Sequence, residues 1–186
     1  MQSMLKNILE DEQKMIIETS RLILRPPTED DFEALYSLGN HPENVRYMGW
    51  WPETEKDMRN VLANAKPGKN FVICLKESGK VIGNCGISSI EDSCTGELNW
   101  ILHIDYWGQG YGTEVCAELI RYGFEDLKLR RITAPCAAVN YGSCRVIERN
   151  GMRLEATHIK AFWTKVDKEW VDEAVYAILA EEYFRR

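Results

Sequence analysis

The sequence lacks the features of membrane-spanning and exported proteins. No apolar run approaches the roughly 18 residues that a membrane-spanning helix needs. The first 15 residues alternate charged and apolar side chains, without the apolar stretch and small-residue cleavage site of a signal peptide. Internal repeats, low-complexity tracts and linkers are also missing. We therefore expect a cytoplasmic protein with no membrane partner.

Metal-ligand spacing is missing as well. The six cysteines include no CxxC pair, and the three histidines stand far apart in the chain. Zinc sites usually combine closely spaced ligands, so this pattern argues against a bound metal ion. Because the chain has no signal peptide, we expect the thiols to be reduced and mostly packed as small apolar side chains.

Basic residues do not predominate. The chain has 23 lysines and arginines against 29 acidic residues, which gives a net charge of −6 and an isoelectric point of about 5.2. Surfaces that bind nucleic acids are rich in basic residues, so we expect no nucleic-acid partner. The same negative balance would attract a cationic substrate.

The composition is that of one globular domain. Hydrophobic residues make up 45% and charged residues 28% of the 186 residues. A chain of this length buries about 70% of its surface on folding, which is enough for one full core. We expect a single domain over residues 16–186, preceded by an amphipathic extra segment over residues 1–15.

Hydrophobic periodicity and turn residues predict an α/β fold. The predicted strands cover residues 16–24, 71–75, 81–90, 97–104, 131–139, 153–164 and 170–181. The predicted helices run from Thr28 to Gly39, from about Thr54 to Ala65, through the segment around 114–128, and from Asn140 to Arg149. This order predicts a mixed sheet with helices on both faces.

A glycine-rich loop, WGQGYGT over 107–113, lies between a buried strand and the longest amphipathic helix. Glycines allow backbone N–H groups to point to one side, and a helix N-terminus adds partial positive charge, so the loop suits a pyrophosphate. A tight turn without a ligand is the alternative. The loop matches neither the G-x-G-x-x-G of dinucleotide folds nor the G-x-x-x-x-G-K-[ST] of nucleotide-triphosphate loops.

Six segments together resemble the GNAT superfamily of acyl-CoA N-acyltransferases, closest to its ribosomal-protein alanine acetyltransferase branch. They are TSRLILRPPTEDD (19–31), VIGNCGI (81–87), GELNWIL (96–102), WGQGYGT (107–113), NYGSCRVIERNGM (140–152) and EWVDEAVYAIL (169–179). The resemblance implies a mostly antiparallel sheet of about seven strands that is splayed at the cofactor strand. It also implies acetyl-CoA as cosubstrate.

The resemblance assigns the acetyl-CoA site residue by residue. Backbone groups of Trp100, Ile101 and Leu102 match those that bond pantetheine, and the side chain of Asn140 matches a further pantetheine contact. The predicted pyrophosphate site comprises Trp107, Gly108, Gln109, Gly110, Tyr111, Gly112 and Thr113. Trp107 stands where the family usually has a basic residue, which predicts that backbone amides bind the pyrophosphate alone. Asn140 also suits a helix N-cap, and the two roles are compatible.

The resemblance also proposes catalytic residues. Glu97 matches the general base, and its alternative is a solvated charge at the end of a strand. Ser143 matches the general acid of the ribosomal-protein branch, and its alternative is a small residue chosen for helix packing. Tyr141 is a weaker candidate acid, because the family's usual tyrosine position is Ile147 here.

The predicted activity is transfer of an acetyl group from acetyl-CoA to a primary amine by direct attack in a ternary complex. The favoured acceptor is the α-amino group of a peptide or protein N-terminus. A small amine, such as a polyamine, an antibiotic or an amino-acid derivative, is an alternative, and so is a non-catalytic acyl-CoA-binding module. The aromatic loop RYMGWWP over 46–52 either borders the acceptor cleft or covers the sheet. The oligomeric state stays open, a homodimer included.

Overall fold

The structure is a computed structural model that describes residues 15–90 and 94–185. Residues 1–14, most of the predicted extra segment, lie outside the described residues. Within the described part, no helix has both the length and the apolar character needed to cross a membrane.

Strands and helices follow the predicted order. The strands are β1 Ile17–Glu18, β2 Leu22–Arg25, β3 Asn70–Leu75, β4 Val81–Ile90, β5 Thr95–Leu102, β6 Arg131–Ala137, β7 Arg153–Thr164 and β8 Glu169–Leu179. The helices are α1 Phe32–Leu38, α2 Pro42–Val45, α3 Glu55–Ala63, α4 Tyr111–Arg121, α5 Tyr141–Arg149 and α6 Ala180–Tyr183. Short 3-10 turns cover Glu29–Asp31 and Ile104–Tyr106, and a π-helical turn, Tyr122–Asp126, extends α4.

All eight described strands form one sheet in the order β1-β2-β3-β4-β5-β6-β8-β7. Neighbouring strands are antiparallel except β5 and β6, which are parallel. The predicted mixed, mostly antiparallel sheet is therefore confirmed.

The strand count exceeds the predicted seven because the predicted first strand is two strands. A turn at Thr19–Arg21 divides it: the backbone N–H of Thr19 donates to the carbonyl of Leu22, and the N–H of Leu22 donates to the hydroxyl of Thr19. Hydrogen bonds within this turn replace the ladder that a continuous strand would make. β1 then folds back antiparallel onto β2.

Helix and strand ends differ from the predictions where polar side chains form local turns. The carboxylate of Asp31 accepts hydrogen bonds from the backbone of Thr28 and from Arg25, so a 3-10 turn precedes α1. The predicted strand 97–104 ends at Leu102, because His103 begins the next 3-10 turn. The short helix α2, with proline at its start, was not predicted.

Apolar clusters cover both faces of the sheet. The first cluster joins the sheet to α4 and α5 through buried residues that include Val115, Leu119 and Ile147. The second joins it to α1 and α3 through residues that include Phe32, Met58 and Ile101. Helices therefore lie on both faces, as predicted. Five of the six cysteines are buried free thiols, and Cys94 is exposed.

Candidate active site

Strands β5 and β6 diverge in the middle of the sheet. They pair only through Thr95–Glu97 and Arg131–Thr133, although β5 continues to Leu102 and β6 to Ala137. Beyond Glu97 the facing edges of the two strands are therefore open. An open strand edge offers N–H and C=O groups that an extended amide ligand can complete. The splay predicted at the cofactor strand is present.

The hydrogen-bond pattern of β5 decides which backbone groups face this opening. The N–H of His103 donates to Ile82 on β4, and backbone groups alternate sides along a strand. The backbone N–H and C=O groups of Ile101 therefore face β4, and those of Trp100 and Leu102 face the opening. This alternation favours Trp100 and Leu102 over Ile101 as partners of pantetheine.

The glycine loop follows β5 and leads into α4. Gly108 and Gly110 have φ angles of 73° and 84°, in the left-handed region that favours glycine. The indole Nε1 of Trp107 donates to the carbonyl of Leu102 at 2.8 Å, which ties the loop to the open end of β5. The side-chain amide of Gln109 donates to the carbonyl of Asp105 at 2.8 Å. The loop is thus held from several sides, with its glycines in the conformation that an anion cradle requires.

The last three predicted loop residues belong to the first turn of α4. Tyr111 begins the helix. A Cβ at Gly112 would lie 3.4 Å from Val146, so this glycine lets α5 approach closely. The carbonyl of Thr113 accepts a hydrogen bond from the side chain of Asn150 at 3.2 Å. These contacts fix the start of α4 against α5.

Sequence reasoning missed a basic residue that reaches the loop. Arg21, in the turn between β1 and β2, donates from Nη1 to the carbonyl of Gln109 at 2.9 Å and from Nε to Glu114 at 2.7 Å. Its guanidinium lies 4.3 Å from the centre of the Tyr111 ring. The matching segment TSRL contained Arg21, but nothing in the sequence placed it beside a loop almost 90 residues away.

Glu114 is held in its charged form. Burial raises the pKa of its carboxyl group, but hydrogen bonds from Thr19, Ser20 and Arg21 outweigh burial and lower the pKa to about 2. The backbone N–H of Arg21 also donates to it, at 2.9 Å. The side chain is 14% exposed, so a charged carboxylate stands close to the predicted anion site.

The start of α5 lies beside the end of β6. The side chain of Asn140 accepts a hydrogen bond from the N–H of Ser143 at 3.2 Å, which confirms its role as helix N-cap. Ser143 is half-buried and Tyr141 is 69% exposed. Ile147 is fully buried in the first cluster, and an aliphatic side chain has no proton to donate to the leaving thiol.

Glu97 lies where the two strands part. It is the last β5 residue paired with β6, and its side chain is exposed. Although the side chain as a whole is exposed, partial desolvation of its carboxyl group, and secondarily the charge of Glu173, raise its pKa above the ordinary value. A carboxylate whose pKa is raised toward neutral pH is a better general base than an ordinary one.

A cavity of about 250 Å³ lies between α3 and the sheet, on the face that carries Glu97. Its polar side chains are four asparagines, Asn64, Asn70, Asn84 and Asn99, and no charged residue lines it among the described residues. Asn99 follows Glu97 by two residues on β5, so the two side chains share a face about 7 Å apart. Within the described residues, the side-chain amides of Asn84 and Asn99 make no hydrogen bond.

A second cavity, of about 310 Å³, borders the aromatic loop 46–52 and includes Tyr36, Trp51, Glu53 and Lys165. Trp51 is buried in the second cluster, whereas Trp50 is 61% exposed. The aromatic loop therefore covers the sheet and also borders an opening beside it.

Known proteins share this architecture. The acetyltransferase (GNAT) domain family matches residues 21–153. The uncharacterized N-acetyltransferase YnaD of Bacillus subtilis is 31% identical over 172 residues, which cover 91% of this chain and 99% of that protein. A crystal structure of a GNAT-family acetyltransferase from Bacillus anthracis matches with a TM-score of 0.82 and 33% identity, covering 90% of this chain and all of the other.

A more distant structure shares the fold alone. It is the ribosomal-protein-S5-alanine acetyltransferase of Vibrio fischeri, with a TM-score of 0.77 and 17% identity over 91% of this chain and 99% of the other. The family match and the two nearer relatives place the chain among enzymes rather than non-catalytic binding modules. The chain belongs to the GNAT acetyltransferase family, and its activity is acetyl-CoA-dependent N-acetyl transfer of that family's type.

Proposed function

We propose that this N-acetyltransferase acts on the α-amino group of a peptide or protein N-terminus, by direct attack in a ternary complex. One observation carries the proposal. Glu97 stands at the fork between β5 and β6, beside a cavity whose polar side chains are all asparagines. This arrangement provides one base for the amine and uncharged hydrogen-bonding groups for the rest of the acceptor.

The asparagines suit a peptide better than a polyamine. A side-chain amide both donates and accepts, so it can pair with the N–H and C=O of a peptide bond. A polyamine that enters the same cavity would bring a second ammonium group. Buried charges need a partner of opposite charge, and the described lining residues include none.

The chemistry of the amine points the same way. The attacking nitrogen must be neutral, and an α-amino group with a pKa of 7.7–8.0 loses its proton at pH 7 for about 1 kcal/mol. A lysine side chain, with a pKa of about 10.4, needs about 4.6 kcal/mol. A site with one base and Ile147 in place of a tyrosine suits the more acidic ammonium group.

The chain's own residues have distinct roles in this proposal. Acetyl-CoA supplies the thioester, and the backbone groups of Trp100 and the backbone N–H of Leu102 at the open edge bind its pantetheine. Glu97 accepts the proton that the amine releases. The loop 107–113 binds the pyrophosphate, and the side chain of Asn140 is a further contact for the pantetheine. Ser143, at the start of α5, is the proposed acid for the leaving thiol.

Acceptor kinetics test the proposal. We expect faster release of coenzyme A with a short peptide that has a free N-terminus than with spermidine or with the same peptide blocked at its N-terminus. Asn99→Leu should raise KM for the peptide, because it removes a free amide from the cavity. Turnover of spermidine with no turnover of either peptide would overturn the proposal in favour of a small-amine acceptor.

A further inference from the structure

We propose that Arg21 is a positioning residue of the phosphate-binding loop. It sets the orientation of the peptide bond between Gln109 and Gly110, and it neutralises Glu114 at the start of α4. This inference rests on the binding of acetyl-CoA at the loop and does not depend on which amine is acetylated.

Arg21 contacts three residues of the site, one on the glycine loop and two in the first turn of α4. One guanidinium edge faces Glu114, another holds the carbonyl of Gln109, and the plane stacks on the ring of Tyr111. Nη2 also lies 3.4 Å from the position that a Cβ would occupy at Gly110. Arginine presents several donors in a rigid planar fork and also stacks on aromatic rings, so it can make all of these contacts at once.

The bond to Gln109 determines where the next amide points. In a trans peptide the C=O and N–H groups point in opposite directions. Because Arg21 holds the carbonyl of Gln109, the N–H of Gly110 is turned away from Arg21. Gly110 has the φ of 84° that this arrangement needs. Arg21 therefore fixes the direction of an amide in the loop that is proposed to bind the pyrophosphate.

The bond to Glu114 removes an electrostatic obstacle. A carboxylate in the first turn of a helix interacts favourably with the helix dipole, but it repels a phosphate bound at the same helix end. Glu114 stays ionised at neutral pH because its pKa is about 2. With Arg21 at 2.7 Å, the pair is close to neutral, and the positive helix end remains available to the anion.

Four variants test the two parts of this proposal: Arg21→Met, Arg21→Lys, the double variant Arg21→Met/Glu114→Gln, and the control Arg59→Met. Arg59 is a matched control because it also pairs with a carboxylate, Glu29, and stacks on an aromatic ring, Phe32, away from the loop. Calorimetric titration with coenzyme A gives Kd without turnover, and circular dichroism on heating shows that each variant is folded.

We expect Arg21→Met to weaken coenzyme A binding by about 10-fold to 100-fold, in the range of one or two charged hydrogen bonds. KM for acetyl-CoA should rise in parallel, and kcat at saturation should change less than threefold. Arg21→Lys should recover part of the loss, because it restores the charge but not the fork. The double variant should bind more tightly than Arg21→Met, and Arg59→Met should bind like the parent.

A folded Arg21→Met protein with unchanged Kd would overturn the positioning role. A double variant no better than Arg21→Met would overturn the charge-neutralising role. Failure of the parent to bind coenzyme A would overturn the inference together with its premise. Failure of the parent to acetylate peptides, with normal coenzyme A binding, would affect only the proposed acceptor.

Discussion

At the scale of single residues, Glu97 carries the proposed chemistry. Glu97→Gln is expected to lower kcat by roughly 10²-fold to 10⁴-fold at pH 7, the usual range for a general base. The loss should shrink at high pH, where the amine loses its proton unaided. Measurements of kcat between pH 6 and 9.5 test this. If the kcat profiles of the parent and of Glu97→Gln stay parallel across the whole range, Glu97 is not the base.

Glu173 provides the control for the pH profile. Its charge contributes to the raised pKa of Glu97. A base works only when deprotonated, so activity should fall as the pH drops through the pKa of Glu97. Glu173→Gln should therefore shift this acid limb to lower pH while the plateau stays near that of the parent.

Ser143 should matter much less than Glu97. A leaving thiol with a pKa near 8.5 departs as thiolate at pH 7 for about 2 kcal/mol, so a general acid contributes little. Ser143→Ala is expected to lower kcat by less than about tenfold, because a general acid can save no more than this free energy of about 2 kcal/mol. Tyr141→Phe is the matched comparison at the start of the same helix. Equal, full activity in both variants would leave Ser143 as a helix-packing residue.

Gly110 offers a test of the loop with an internal control. Gly110 and Gly79 both have positive φ angles, of 84° and 69°, and Gly79 lies in the turn between β3 and β4. Alanine at either position should cost stability by a similar amount, about 1–2 kcal/mol, because of the left-handed backbone. Only Gly110→Ala should weaken coenzyme A binding in calorimetry. Equal affinities of the two variants for coenzyme A would mean that the loop is a turn without a role in binding.

At the scale of elements, the turn between β1 and β2 is fastened to α4 through Glu114. Because the pKa of Glu114 in the folded protein is depressed to about 2, its ionisation stabilises the fold above the unfolded value of about 4.5. This contribution is lost as the pH falls from 4.5 through 2.

Glu114→Gln should therefore lower the free energy of unfolding at pH 7, and the difference from the parent should decrease toward pH 2.5. Urea unfolding at the two pH values measures it. Glu118→Gln, on the same helix, is a matched control, since Glu118 pairs with Arg121 away from this turn. A Glu114→Gln deficit that stays constant with pH would contradict the ionic account of the attachment.

Sequence patterns anticipated elements better than their edges. The strands 81–90 and 153–164 were predicted with their observed bounds, because turn residues flank each of them. The turn at Thr19–Arg21 was missed, although Thr19 and Leu22 form it locally. The carboxylate of Glu114, far away in the sequence, also accepts hydrogen bonds from this turn. Local sequence patterns indicate turns, but they do not show which distant carboxylate will accept hydrogen bonds from a given turn.

At the scale of the whole molecule, the resemblance proposes that Glu97, the glycine loop and Asn140 serve one site. Glu97 stands at the fork between β5 and β6, the loop follows β5, and Asn140 follows β6. The resemblance gave no sign of the four asparagines. Asn64 directly follows α3, and Asn70, Asn84 and Asn99 lie on β3, β4 and β5, so they meet only when the sheet forms. Nor could it show that Ile101 faces β4, because strand register depends on tertiary pairing. The structure thus adds the asparagine cavity, which the proposed function assigns to the acceptor.

The roles proposed for Glu97 and the asparagine cavity depend on an α-amino group as the acceptor. The most direct measurement offers one peptide that has both a free N-terminus and an internal lysine, and locates the acetyl group by mass spectrometry at early times. We expect acetylation mainly at the N-terminus, and loss of that product with Glu97→Gln. Acetylation mainly at the lysine, or at neither amine, would contradict this expectation.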